Sequence, residues 1–282
     1  MKLIKSSFEI LEQAPGIQGI KKQIEKAGRT CYKSEDKITD TSCEEFVDRM
    51  VNSGHGAMLE HGTVYLNIPC KLDYNDYGDI TWVKIKSNSS YEEYEENPYT
   101  KVELVKHGWA TEGNIYITTN YRVLVENGWL DDLQYQCEPT EYHEKRITVK
   151  FILPISISRE FIRHRTASFA EQSTRYCNYS KDKFGRELTF IKPYWYDQYK
   201  EEFESSCQYY EDTYMMAIES GLKAQEAREL LPLCTKTELV MTAFVSDWEH
   251  FFKLRCHNTA HPDARALAIP LQDKFIELNL IV

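Results

Sequence analysis

No apolar run in the 282 residues reaches the length of a membrane span, so no transmembrane helix is expected. Neither G-x-G-x-x-G nor G-x-x-x-x-G-K-[ST] is present, which removes the sequence signal for a dinucleotide fold or a P-loop. The eight cysteines include no Cys-x-x-Cys pair, and the N-terminal MKLIKSSFEILEQ lacks the apolar block of a secretory signal. Reduced thiols and a cytoplasmic location follow as expectations, and the N-x-S/T matches at Asn88 and Asn178 then read as chance. Cys256, His257 and His261 fit no structural zinc spacing, so no metal is expected. There is no broad basic face either: the net charge is -10, which argues against general binding to a nucleic-acid backbone. With no internal repeat and no Pro/Gly/Ser linker, residues 1–282 read as a single α+β domain, a mixed or antiparallel sheet flanked by helices.

What is present is unevenly spread. Residues 72–145 hold fifteen Asp or Glu against six Lys or Arg, and nine of the nineteen tyrosines. This segment reads as a long, acidic, β-rich insertion, solvated and turn-punctuated, with strand-like pieces ITWVKI and NIYITTNYRVLV. Ahead of it, KLIKSSFEIL alternates like a strand and Pro15 opens a helix over GIQGIKKQIEKAG. Ser42 with Glu45 has the spacing of a capping box for a second helix that stops at Gly54. The alternating strand TVYLNI follows the GHGAMLEHG turn.

After the insertion, ITVKFILPISIS reads as a strand and SREFIRHR as a short helix with Ser158 as N-cap. A long amphipathic helix follows, with Tyr196, Tyr199, Phe203, Tyr210 and Tyr214 on one stripe that belongs more naturally to a core than to a cofactor. KAQEARELLP is a further helix, TELVMTAFV a buried strand, DWEHFFKLRC a helix that Ser246 would cap, and a last helix follows Pro262.

One stretch stands against the acidic background. RHRTASFAEQSTRY, Arg163 to Tyr176, carries three arginines and a histidine among Ser168, Ser173 and Thr174, with Glu171 as its one carboxylate. Guanidinium groups bind phosphate bidentately and loop hydroxyls add donors. Arg163 and Arg165 are two apart, so on a helix they point in different directions and suit two anions. A solvated basic patch is the plainer alternative, and composition alone leaves both open.

The extended pattern R-H-R-x-x-S, continuing E-x-S-x-R-Y, resembles the signature of the flavin-dependent thymidylate synthases, the ThyX family. Further matches occur in order: GHGAMLEH at 54–61, ARELLPL at 227–233 and FFKLRCHNTAHPDARALA at 251–268. The resemblance implies reductive methylation of dUMP to dTMP with FAD, NADPH and methylenetetrahydrofolate, in a homotetramer. It implies that Glu160, Phe161, Ile162, Arg163, Glu171, Gln172, Ser173, Thr174, Arg175, Arg228 and Arg255 meet dUMP, with Arg255 as the catalytic group beside the uracil ring. It places Ala57, Arg163, His164, Arg165, Glu171 and His250 at FAD.

Several positions depart from that pattern. Ala57 stands where Ser or Thr is common, leaving only main-chain contact, and Glu160 where Gln is usual. His250 and Phe244 replace frequent Asn residues, and His261-Pro262-Asp263 stands where A-Q-x-E is typical. The insertion expands what is a two-strand hairpin in the family. Two alternatives remain at this point: a flavin- or nucleotide-binding homologue without turnover, and a flavin-independent synthase, which needs a cysteine nucleophile such as the Cys70 of PCKLDY.

Overall fold

The computed structural model of the chain describes residues 1–87, 89–108 and 111–282, so Asn88 lies outside the described residues. In chain order the first elements are β1 (Lys2–Ile4), β2 (Ser7–Leu11), α1 (Gly16–Tyr32), α2 (Ser42–Asn52), α3 (Gly56–Leu59), β3 (Thr63–Tyr74), β4 (Ile80–Ile85), α4 (Tyr91–Glu95), β5 (Lys101–Lys106) and β6 (Glu112–Asn120). They are followed by α5 (Tyr121–Asn127), β7 (Arg146–Pro154), α6 (Ile155–Phe161), β8 (Ser168–Glu171), β9 (Thr189–Ile191), α7 (Lys200–Glu219), α8 (Ala224–Ala227), β10 (Lys236–Phe244), α9 (Val245–Arg255) and α10 (Pro262–Glu277). The fold is α+β, with antiparallel sheets flanked by helices and one short parallel pair, β1 with β9. It divides into two compact units: the first is Met1–Leu11, Gly28–Asp36 and Thr148–Val282, the second Glu12–Ala27 and Lys37–Ile147.

The second unit is built on the sheet β4-β3-β6-β5, antiparallel throughout. Along β3, Val64, Leu66, Ile68, Cys70 and Leu72 alternate into the core, as the two-residue period of a strand dictates. Leu66 and Ile68 lie opposite Ile117 and Ile115 of β6. Ile20 and Ile24 of α1 and Phe46 and Met50 of α2 join the same apolar cluster. Burying each such aliphatic side chain contributes about 1.5–3 kcal/mol. The acidic insertion is therefore not merely solvated: Tyr94, Tyr121 and Trp129 are buried in this core, while Tyr77, Tyr99 and Tyr142 face solvent.

Gly62 marks the tightest approach there. A Cβ at this position would stand 2.7 Å from Ile24 Cδ1 and 2.8 Å from Ile20 Cγ2. Both isoleucines are buried and have nowhere to retreat. Gly62→Ala should therefore lower stability by about 1–3 kcal/mol through overpacking, seen as a lower melting temperature. An unchanged melting temperature would mean that the isoleucines repack freely.

NIYITTNYRVLV is not one strand. Asn120 ends β6 and accepts a hydrogen bond from Val123 N–H, capping α5, and Gly128 closes that helix in the left-handed region at φ 73°. The Asn and Gly signals outweigh the β-branched character of the segment.

In the first unit the sheet order is β2-β7-β10-β8, antiparallel for β2 with β7 and for β10 with β8. Beyond Lys236, every residue of the inner strand β10 is buried. Aromatic rings of β7, α6, α9 and α10 pack together: Phe161 is 5.2 Å from Phe151 and 4.9 Å from Phe251, and Trp248 is 5.4 Å from Phe275. This core fixes α6 and α9. The stripe near α7 divides: Tyr196, Phe203 and Tyr214 are buried, whereas Tyr199 and Tyr210 are exposed.

Three helix starts differ from expectation, two of them because a serine hydroxyl bonds elsewhere. α6 begins at Ile155 after Pro154, and Ser158 sits inside it, donating back to the Ile155 carbonyl at 3.0 Å. Ser42 follows the N-cap Thr41 and donates to Glu25 at 2.9 Å, so no capping box forms. Ser246 lies within α9, whose N-cap is Phe244.

Candidate active site

Strand β7 ends at Pro154 and turns into the seven-residue α6, which stops at Ile162. The chain re-enters the sheet as β8, where Glu171 pairs with Leu239 of β10. Past Glu171 the main chain leaves the sheet. Ser173 N–H donates to the Cys31 carbonyl at 2.9 Å, and Cys177 N–H to the Ser173 carbonyl at 3.0 Å. The loop carrying the hydroxyls is thus tied at both ends.

Helix and loop enclose a cavity of about 540 Å³, within the roughly 300–1,000 Å³ of small-molecule sites. Ile162, Glu171, Gln172, Ser173, Thr174, Arg175 and Arg228, all expected at the nucleotide, line it together. Arg175 lies over the Tyr176 ring with its guanidinium carbon 5.4 Å from the centroid. Arg228 pairs with Glu229 at 3.4 Å. Burial raises the Glu171 carboxyl, while the nearby hydroxyls of Ser158 and Thr237 and the charge of Arg159 pull it back. Gln172 is held on two sides: its side-chain oxygen accepts from Lys236 Nζ at 2.9 Å and its N–H donates to the Glu238 carbonyl at 2.8 Å.

The cavity wall includes residues that the sequence reading did not single out. Ile155, Ser158 and Arg159 join Ile162 on it. Their i, i+3, i+4, i+7 spacing is one helical face, a signal readable once the helix is started at Ile155. Thr237 sits on β10 and gave no signal of its own.

Four of the expected nucleotide residues, Glu160, Phe161, Arg163 and Arg255, are not part of this lining. The Phe161 ring is fully buried between Phe151 and Phe251, so only its main chain can face a ligand. Arg255, the last residue of α9, donates from Nη1 to Glu160 Oε2 at 2.9 Å and from Nη2 to the Glu160 carbonyl at 2.6 Å. Its Nε donates to His164 Nε2 at 3.1 Å. The His164 ring lies 5.0 Å from Phe251 and 5.9 Å from His250. Burial first, then the positive charge of Arg255 and the neighbouring His250, lowers the His164 pKa to about 4. It is neutral at pH 7. Arg163, Arg165 and His250 are exposed.

Ala57 belongs to the second unit, exposed on α3. Cys70 is buried in β3 with its thiol raised by burial, an environment opposite to that of an activated nucleophile. Among the described residues no group of three His, Cys, Asp or Glu side chains is placed to hold a metal ion. None of their helices is long and apolar enough to cross a membrane.

The Thy1 family model, described as thymidylate synthase complementing protein, matches residues 133–278, just over half of the chain. The chain belongs to the Thy1 (ThyX) family. The matched range holds α6, the hydroxyl loop, Arg228 and Arg255, and leaves the GHGAMLEH turn outside. The flavin-dependent thymidylate synthase of Geobacter sulfurreducens is 33% identical over 114 residues, covering 40% of this Thy1 chain and 49% of the relative. The enzyme of the same description from Thermococcus onnurineus is 30% identical over 118 residues, 39% of this chain and 46% of its own. The Thy1 chain thus spans about half the length of these curated relatives. A solved structure of the UMP/dUMP methylase PolB from Streptomyces cacaoi bound with 5-Br dUMP overlays with a TM-score of 0.44 at 17% identity, over 99% of this chain and 93% of that one. A likeness that loose bears on neither fold nor activity.

Proposed function

We propose that this protein is a flavin-dependent thymidylate synthase that converts dUMP to dTMP, with FAD as cofactor and NADPH and methylenetetrahydrofolate as co-substrates. The observation that carries the reading is the meeting of Glu171–Arg175 with Arg228, fifty-odd residues away in sequence, around one cavity. In this reading Arg175 and Arg228 take the nucleotide phosphate, and Ser173 and Thr174 add hydroxyl donors. Arg255 faces the pyrimidine, where a cation beside N3 and O4 favours the electron-rich form whose C5 attacks the one-carbon unit. Glu160, Ile162, Arg163 and the main chain of Phe161 complete the nucleotide side.

The donor set beside it suits a flavin: the exposed guanidiniums of Arg163 and Arg165 match a pyrophosphate, with neutral His164 between them in sequence. Glu171 and His250 are the other residues of the first unit assigned to FAD. When bound, reduced flavin supplies the hydride that completes the methyl group. The chain's own tasks are to hold the ligands, align them and keep the ring polarised. The same family membership underlies the proposals of a homotetramer, a cytoplasmic location and a Thy1 domain spanning the chain with residues 72–145 inserted.

The test is spectroscopic. The purified protein should show a flavin absorbance band that anaerobic NADPH bleaches, faster with dUMP present, and should form dTMP when methylenetetrahydrofolate is added. No flavin band even after excess FAD would sink the reading. A bound flavin that NADPH never reduces would leave a ligand-binding homologue without turnover.

A further inference from the structure

Arg255 has five N–H donors, and three of them are engaged within the chain: two by Glu160, through its carboxylate and its carbonyl, and one by the His164 ring. Two donors remain. We propose that Glu160 and His164 are positioning residues that clamp Arg255 and present its two remaining donors to the pyrimidine edge. This rests on the reading of the site as a dUMP site.

The clamp has the parts that such a role requires. Arginine carries about 2 kcal/mol of side-chain rotamer entropy, and three hydrogen bonds hold the guanidinium before any ligand arrives. Preorganised donors need no reorganisation when negative charge develops on the ring. The clamp is itself anchored. Phe161 locks the end of α6 into the aromatic core directly after Glu160, and Phe251 packs against the His164 ring.

The histidine must offer a lone pair at Nε2, which requires a neutral ring with its proton on Nδ1. Protonated, it would turn a donor toward Arg255 and break the contact. Arg255 and His250 from α9 both disfavour the imidazolium. The Glu160 carboxylate also offsets the positive charges of Arg255 and nearby Arg163. Arg255 and Glu160 keep 15% and 28% of their side-chain surface exposed, so the pair is open to a ligand and is not a sealed core contact.

Two measurements on the full-length enzyme test the clamp. In ligand-free protein, the Arg255 Nε–H resonance, assigned by its loss in Arg255→Lys, should be resolved and slow to exchange, and should move to the free-arginine position in His164→Ala. In steady-state assays Glu160→Ala should lower kcat about 10²-fold, the penalty of a misplaced catalytic group, with KM for dUMP within a few-fold. Glu160→Gln keeps an acceptor and should restore most of that loss. In an Arg255→Ala background Glu160→Ala should lower kcat far less than it does in the wild type, because its effect on the chemical step runs through the arginine. Additive losses in that cycle, or a wild-type Nε–H signal like that of free arginine, overturn the proposal. Failure of the wild type to bind dUMP by calorimetry or to form dTMP would instead remove the functional reading, with the resonance still deciding the clamp.

Discussion

Arg255→Ala should lower kcat by roughly 10²–10³, the usual loss on removing one preorganised donor from a developing negative charge. Its partners are arranged so that the effect falls on chemistry. Glu160 is left partly exposed, not buried and unpaired, so the fold survives the truncation. A donor that strengthens its bond as the ring gains charge acts on the transition state more than on the bound substrate. Arg175→Ala is the contrasting case. That side chain is exposed over the Tyr176 ring at the rim of the cavity, and its assigned partner, a phosphate, keeps its charge throughout. Its loss should raise KM for dUMP and leave kcat at saturation close to wild type. Flavin content should be unchanged in both variants. The reverse pattern, with KM alone raised for Arg255→Ala and kcat abolished for Arg175→Ala, would exchange the two roles.

Glu238→Ala should destabilise the first unit by about 3 kcal/mol, at the lower end of the range for breaking a buried ion pair. The Glu238 side chain is 7% exposed, accepts from Lys33 at 2.8 Å and from Lys236, and forms an ion pair with Lys150 at 2.6 Å. Against the cost of burial, these three ammonium groups hold its carboxyl down at about 2. The same crowding shows on the other side: burial first, with Lys33 and Lys150 adding to it, keeps the Lys236 ammonium below its ordinary value even beside Glu238. Because the folded pKa is depressed, the stabilisation is present above the unfolded value near 4.5 and is lost as pH falls toward 2. Denaturant titrations of wild type and Glu238→Ala should therefore show a gap at pH 7 that closes on acidification. A gap of constant size between pH 7 and pH 3 would assign the stabilisation to packing instead of charge.

The part of the cavity lining formed by Glu171 to Arg175 was legible in the sequence because its residues are local. Glu171 to Arg175 are consecutive, and a tied loop leaving a sheet edge delivers all of them to one cavity. The helix face of Ile155, Ser158, Arg159 and Ile162 was hidden by a misplaced start: PISIS has the β-branched alternation of a strand, but Pro154 ends β7 and the aromatic core claims Phe161. Arg255 was singled out only through the family resemblance, and nothing in the sequence pairs positions 160, 164 and 255. That contact depends on how α9 packs against α6. Likewise the insertion looked solvated because its acidic and tyrosine content dominates its composition, while the alternation in β3 that gives it a core lies largely upstream of it.

The ion pair between Lys33 and Glu238 joins residues 205 positions apart, and that separation sets a timetable for synthesis. At 5–20 residues per second, Lys33 waits about 10–40 s before Glu238 has been made. All of the second unit, which ends at Ile147, is already synthesised by then. The segment Gly28–Asp36 must stay available through that interval, since the Cys31 carbonyl takes its partner from Ser173 and the Lys33 ammonium from Glu238. Contacts of such long separation close slowly. The loop Glu171–Arg175, tied to Cys31 and to Glu238, is therefore among the last parts of the protein to be secured.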